Sequence, residues 1–476
     1  MDVQSAVDDV KVVELRRVSP PPGSVPLPTT LTLTYFDVVW LSSPPVQHLF
    51  FYEFSGTTQD FRDSHFAQLQ RSLSLALALF YPLAGRLVPS PDSYTGDRVI
   101  RLSEGDSVPL SLAESTADFV RLVGNQPKRV EEFRSLVPAL IPAPSSEEQK
   151  KESPLPPLAA FQVTVFPRRG VSVGFTVRHV VADGFGCTHF LKSWASIFKA
   201  GGDVSVARTL PIYDRALVGD MERLKRDWVE FQTRKGKVNG TVRASSTASE
   251  IVQPSHFTRS TFELSRAQIQ KLRDRVRVSS ARCPGVGPRV PIPSSFTVAV
   301  AHAWVCFAKS RDMLTTDGGP PPAFHFCFAV DCRPRLDPPV PGSYFGNCIG
   351  STQIEASYAE LAGEDGLLVA TELIQAAIRR LDKGLLGEID YAFRESVEVH
   401  KYRALSVAGT PRFGVYETDF GWGRPRKVEI VSIDLNEAIS LAESRDQQGG
   451  IEIGVVGPQD EILRFALFFQ KGLRAP

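Results

Sequence analysis

Four kinds of feature are missing from this chain of 476 residues, and each absence bears on a class of protein. Its six cysteines, at 187, 283, 306, 327, 332 and 348, contain no CxxC pair and no regular spacing. That excludes a zinc-ribbon framework and fits reduced thiols better than disulfides. No apolar run approaches the roughly 20 residues that span a bilayer, the stretch at 75–80 being typical. Lys and Arg number 54 against 53 Asp and Glu, so no basic field is offered to nucleic acid or to an anionic membrane. The first 18 residues mix charges from position 2 onward and lack the apolar core of a secretory signal, so a cytoplasmic protein is expected. What remains is a chain with 42% apolar and 22% charged residues, long enough for two or three domains and suited to a small-molecule partner.

Strand and helix patterns alternate along both halves, which predicts an α/β layered protein of two domains. In the first half, strands are expected at 31–41, 49–54, 99–102, 161–166 and 171–177. Helices are expected at 66–80, ended by Pro82 and Gly85, and at 187–200 and 221–232. Residues 142–157 read as a polar, proline-bounded loop and 233–250 as an interdomain crossover. The second half opens with a strand at 256–264 and a helix at 265–276, then a loop at 284–293 and a helix at 295–309. A strand at 324–331, a helix at 367–381, strands at 427–435 and 451–456 and a closing helix at 461–473 complete it. The expected division is 1–212, a linking helix and crossover at 213–250, and 251–476. No repeat of solenoid period is present.

Two strings carry chemistry. In the first, Val171, Val173, Phe175 and Val177 alternate with Ser172, Gly174 and Thr176, a strand with one apolar face. His179 shares the apolar parity and Arg178 opposes it, before Gly184 and Gly186 break the strand and a helix begins. Partial burial of His179 disfavours the imidazolium and keeps the ring neutral, the form a general base requires. Asp183 has two roles open to it: orienting the ring, or turning away to pin the loop against an arginine. A lone HxxxD reads more readily as a hydrogen-bonded core histidine than as a catalytic one, and needs a second motif beside it. His179 and Asp183 lie across a strand-to-turn break with no third ligand near in sequence, so no metal is expected. The second string is Asp419-Phe420-Gly421-Trp422-Gly423, a tight loop presenting an indole.

Taken together, HVVADG and DFGWG closely resemble the plant BAHD acyltransferases, which use coenzyme A thioesters. The likeness extends to the strand region at 31–54, to YPLAGRL from Tyr81, to the arginine motif at Asp331 to Arg335, and to YFGNC at Tyr344 to Cys348. YFGNC, with KVEIVSID from Lys427 and EAISLAESRD from Glu437, resembles the anthocyanin, flavonoid and phenolic glucoside branch, rich in malonyl transferases. The resemblance implies two similar mixed-sheet domains of the chloramphenicol acetyltransferase-like fold with a solvent channel between them. It implies His179 and Asp183 as the catalytic pair, with Asp183 held by Arg333. Gly184, Asp419, Gly421, Trp422 and Gly423 are the implied coenzyme A-side residues, with the DFGWG loop mainly structural.

The implied reaction is transfer of an acyl group, malonyl above all, from its CoA thioester to a sugar hydroxyl of a phenolic, flavonoid or anthocyanin glucoside. His179 acts as general base, no acyl-enzyme forms, and no permanently bound cofactor is needed. A hydroxycinnamoyl donor is the alternative within the class, and a non-catalytic ligand-binding member of the fold is the alternative outside it. A condensation domain shares HxxxDG but carries a second histidine where Arg178 stands. Acyl-CoA and glycoside are the expected partners of a monomer. A malonyl carboxylate needs a cation, for which Arg178 is adjacent but of the wrong parity.

Overall fold

A computed structural model describes residues 10–91, 96–141, 156–207, 209–234, 257–282, 291–311, 323–399, 404–435 and 438–474. The expected loop at 142–157 and crossover at 233–250 fall almost wholly outside these residues, as does most of the loop at 284–293. The first half contributes β1 (Val10–Val18), β2 (Thr29–Thr32), β3 (Val46–Glu53), β4 (Arg86–Pro89), β5 (Arg98–Leu102), β6 (Val108–Ser115), β7 (Lys128–Arg129), β8 (Ala159–Phe166) and β9 (Gly170–Val177). The second half contributes β10 (Phe257–Leu264), β11 (Phe324–Asp331), β12 (Ile349–Ala356), β13 (Leu405–Ala408), β14 (Lys427–Ile430), β15 (Ala438–Glu443) and β16 (Ile451–Pro458).

These strands form two large mixed sheets, ordered β1-β6-β8-β9-β3-β14 and β12-β11-β13-β15-β16-β10-β7, and a small antiparallel sheet β2-β5-β4. The large sheets do not keep to the division at 213–250. β14, from the second half, pairs antiparallel with β3, and β7, from the first, pairs with β10. At this exchange Arg259 lies 3.2 Å from Glu429 and donates to Ile430 O at 2.8 Å, while Lys427 lies 3.1 Å from Glu452. All four ionic side chains are buried, so the charges are held by one another.

β9 was expected to have one apolar face, but both its faces are buried. On one side Phe161 and Phe175 pack with each other, and Phe161 meets Phe190 and Trp194 of the Gly184–Lys199 helix. The other side is roofed by the segment at 119–138, where Gln162 donates to Ser135 O at 2.9 Å and Thr176 to Pro138 O. Gly174 has to be glycine, because a Cβ there would lie 2.4 Å from Leu136 O. The polar parity therefore marks a face that is hydrogen-bonded to covering backbone rather than to water.

The expected strand at 31–41 is another correction. Only Thr29–Thr32 is extended, and Tyr35–Val38 is a helical turn capped by Thr34 and Asp37. The helix at 367–381 is longer, running Gly366–Val399 through non-helical backbone at Gly384, and the strand at 427–435 becomes a 3-10 turn after Ile430. β1, β6, β12, β13 and β15 were not anticipated. Among the described residues no helix is long and apolar enough to cross a membrane.

Two core histidines give the fold a defined pH response. Burial pushes His48 and His302 down to about 4, with Arg275 and Lys309 adding to the effect at His302. The unfolded chain takes up those protons near pH 6.5, so it binds more protons than the native state between 6.5 and 4. Stability is whole above that window and falls through it by about 1.4 kcal/mol per pH unit for each ring. Denaturant unfolding across pH 4–7 should show a slope smaller by that amount in His302→Asn, and an unchanged slope would clear His302 of the role.

Candidate active site

β9 ends at Val177, where Arg178 N–H donates to Leu158 O at 2.8 Å and a turn closes from Val181 N–H to Arg178 O at 3.0 Å. His179 thus sits in a turn rather than continuing the strand's apolar face. The turn delivers Asp183 as N-cap of the Gly184–Lys199 helix, its carboxylate accepting from Gly186 N–H at 3.0 Å.

That carboxylate is buried and faces the second half of the chain. Arg333 grips it through two bonds, Nη1 to Oδ2 at 2.8 Å and Nη2 to Oδ1 at 3.2 Å, and Cys348 N–H adds a third at 3.0 Å. Burial opposes the guanidinium charge, but Asp183 outweighs it and holds the Arg333 pKa above its usual value. With its oxygens committed in this way, Asp183 pins the loop, and among the described residues its hydrogen bonds go to Gly186, Arg333 and Cys348 rather than to the His179 ring. Arg333, the residue the resemblance implied for Asp183, is the one that pairs with it here.

His179 is half-buried between the halves. Its ring stacks on Trp40, with centroids 4.0 Å apart and planes at 15°, and Trp40 in turn meets Phe393 edge-on. Nδ1 lies 3.1 Å from Asn347 Oδ1. Burial pulls the ring's pKa below the usual imidazole value, opposed in part by its own carbonyl, Asp183, Asn347 and Asp37. The base form therefore persists below pH 6.5. The acid limb of kcat/KM should have its midpoint under that value, with activity lost only as pH falls further, and a midpoint above 6.5 would contradict the assignment.

The remaining expected residues separate from this centre. Gly184, implied as a coenzyme A-side residue, opens the helix after the turn and lets Phe413 of the second half approach, whose ring would lie 2.4 Å from a Cβ. Asp419 folds its own loop, Oδ1 accepting from Gly421 N–H at 2.7 Å and Gly423 N–H at 2.9 Å, both glycines having positive φ. Its Oδ2 accepts from Lys199 Nζ at 2.6 Å. Trp422 packs among Tyr52, Phe61, Phe198 and Phe420. This loop meets the far end of the helix that begins at Asp183, and 16 residues of helix span about 24 Å. The loop therefore stands well away from His179. Arg178 has no side-chain partner among the described residues, and burial and the charge of Arg98 lower its pKa.

Sequence reasoning missed Asp37, Trp40 and any job for Asn347. A signal for the first existed: Thr34-x-x-Asp37 is a capping box, and it marks the start of a helical turn inside an apolar run.

The family profile described as Transferase family matches residues 10–470. The chain belongs to this family. Within it, the chain is similar to an anthocyanin 3-O-glucoside-6''-O-malonyltransferase of Dahlia pinnata, 34% identical, with 98% of each chain covered. A phenolic glucoside malonyltransferase of Nicotiana tabacum is 36% identical, covering 90% of this chain and 91% of its own. An anthocyanidin 3-O-glucoside-6''-O-coumaroyltransferase of Arabidopsis thaliana is 33% identical over 98% and 97%. Among solved structures vinorine synthase shares the fold, with a TM-score of 0.62 at 18% identity and 96% of each chain covered. The transferase thus has the α/β fold with mixed sheets that the resemblance implied.

Proposed function

We propose that this transferase moves a malonyl group from malonyl-CoA to a sugar hydroxyl of a phenolic or flavonoid glucoside. The observation that carries the reading is His179: a half-buried imidazole at the meeting of the two halves, its pKa lowered by burial and its Nδ1 engaged by Asn347. Nε2 takes the proton from the sugar hydroxyl as that oxygen attacks the thioester carbonyl. The tetrahedral intermediate expels the coenzyme A thiolate, and His179 returns the proton to sulfur. A thioester is reactive enough for this direct attack. Cys187, close to the loop, does not compete as nucleophile, because burial and then Asp183 push its thiol up to about 12. Malonyl transferases acting on glucosides among the similar proteins support the donor and acceptor classes.

Thiol release from malonyl-CoA and from p-coumaroyl-CoA, each with a flavonoid 3-O-glucoside and a simple phenolic glucoside, tests the reading when product masses are recorded. Gain of one malonyl group is expected. A coumaroyl product would replace the donor and keep the mechanism, and binding of both CoA esters without turnover on any acceptor would overturn the catalytic reading.

A further inference from the structure

Asn347 belongs to the YFGNC string, yet nothing in the transfer reaction as written needs an amide there. Its surroundings answer the question. Asn347 Nδ2 donates to two acceptors, Asp37 Oδ1 at 3.0 Å and His179 O at 2.9 Å. Neither a carboxylate nor a carbonyl can donate in return, so the amide has one satisfactory orientation, with Oδ1 turned to the ring. Oδ1 in turn can only accept. Asn347 Oδ1 and His179's own carbonyl, the acceptors beside the ring, both call for the imidazole proton on Nδ1, and Nε2 is left with a bare lone pair.

The anchor of this chain is Asp37. One of its oxygens accepts from Asn347 N–H at 2.9 Å as well as from Nδ2, and the other accepts from Thr34 N–H and Thr34 Oγ1, both at 2.9 Å. Asp37 and Asn347 are completely buried, so no water competes for these bonds. Trp40, three residues past Asp37 and just beyond that helical turn, stacks on the ring and fixes its plane.

We infer that Asp37 and Asn347 are positioning residues that select the Nδ1–H tautomer of His179, with Trp40 holding the ring's plane. The inference rests on His179 being the base, and it assigns the turn at 35–40 to the active site. The other tautomer would oppose two lone pairs at Nδ1 and present an N–H to the substrate hydroxyl, which cannot take up its proton. The charged groups around the ring are Asp37 and Asp183, with Arg215 acting on Asp37 and Arg333 on Asp183.

The test is 15N NMR of protein carrying ring-labelled histidine at neutral pH, with His179→Gln used only to assign the signal. A single Nδ1–H tautomer is expected for His179 in the wild type. An Nε2–H or mixed signal there would overturn the inference whatever any variant does. In Asn347→Leu, or Asn347→Ala should the first not fold, the tautomers should mix and kcat should fall about 10²-fold. KM for donor and acceptor should hold within about twofold, since no binding contact is removed. An Asn347 variant that keeps the single tautomer, or loses activity only in step with its melting temperature, reduces Asn347 to a structural residue and sinks the idea. Failure of the general-base reading is read separately, from turnover by His179→Ala, because the tautomer is measured without catalysis.

Discussion

Replacing His179 with Ala is expected to lower kcat by at least about 10²- to 10⁴-fold, the usual contribution of a positioned general base, while the folded protein persists. The side chain is half-buried, and its removal vacates a face of Trp40 and one acceptor of Asn347, so the local loss is small beside the loss of the base. Coenzyme A ester binding and melting temperature should stay near wild type. Steady-state turnover with those two controls separates the outcomes: near-normal kcat removes His179 from the chemistry, whereas a lost kcat with normal binding establishes it.

The second large effect concerns stability. Arg333→Met leaves the Asp183 carboxylate buried with two backbone N–H partners and no countercharge. Breaking a buried pair from one side costs about 3–5 kcal/mol, chiefly as the penalty on the abandoned charge. Thermal unfolding should therefore drop markedly for Arg333→Met. It should recover in part for Asp183→Asn/Arg333→Met, which removes the stranded charge and keeps an acceptor for Gly186 N–H. Asp183→Asn alone should be active and less stable. A stable but dead Asp183→Asn protein would mean that the carboxylate takes a direct part in catalysis.

The sequence disclosed the centre of the site and concealed its frame. His179, Asp183 and Arg333 could be named because each belongs to a short string, and the Asp183–Arg333 clamp follows the pairing those strings imply. Asn347 was visible as part of YFGNC but had no role, since its partners lie 310 residues away at Asp37 and 168 away at His179. Asp37 was hidden differently. The run around it is apolar and β-branched, so local propensity favoured a strand, and a capping interaction with burial on every side made it helical. The sequence showed β9 only as a strand with one apolar face, because periodicity reports residue type, while burial of the other face depends on Pro138, 38 residues before Thr176. Strands such as β1 and β13 carry no clean alternation and are defined by their neighbours' hydrogen bonds.

The exchange of β7 and β14 also bears on the order in which the chain can fold during synthesis. The first large sheet ends at β3 until residues 427–430 have left the ribosome, by which time nearly the whole chain has been made. Until then β3 presents an open edge rich in Leu49, Phe50 and Phe51, a ready template for mispairing. The nascent first half therefore carries an aggregation-prone strand edge, and its closure by a strand 376 residues on, Lys427 against Phe51, is a contact of high sequence separation, the kind that forms slowly. The same closing strand completes the sheet whose β9 strand leads into the His179 turn.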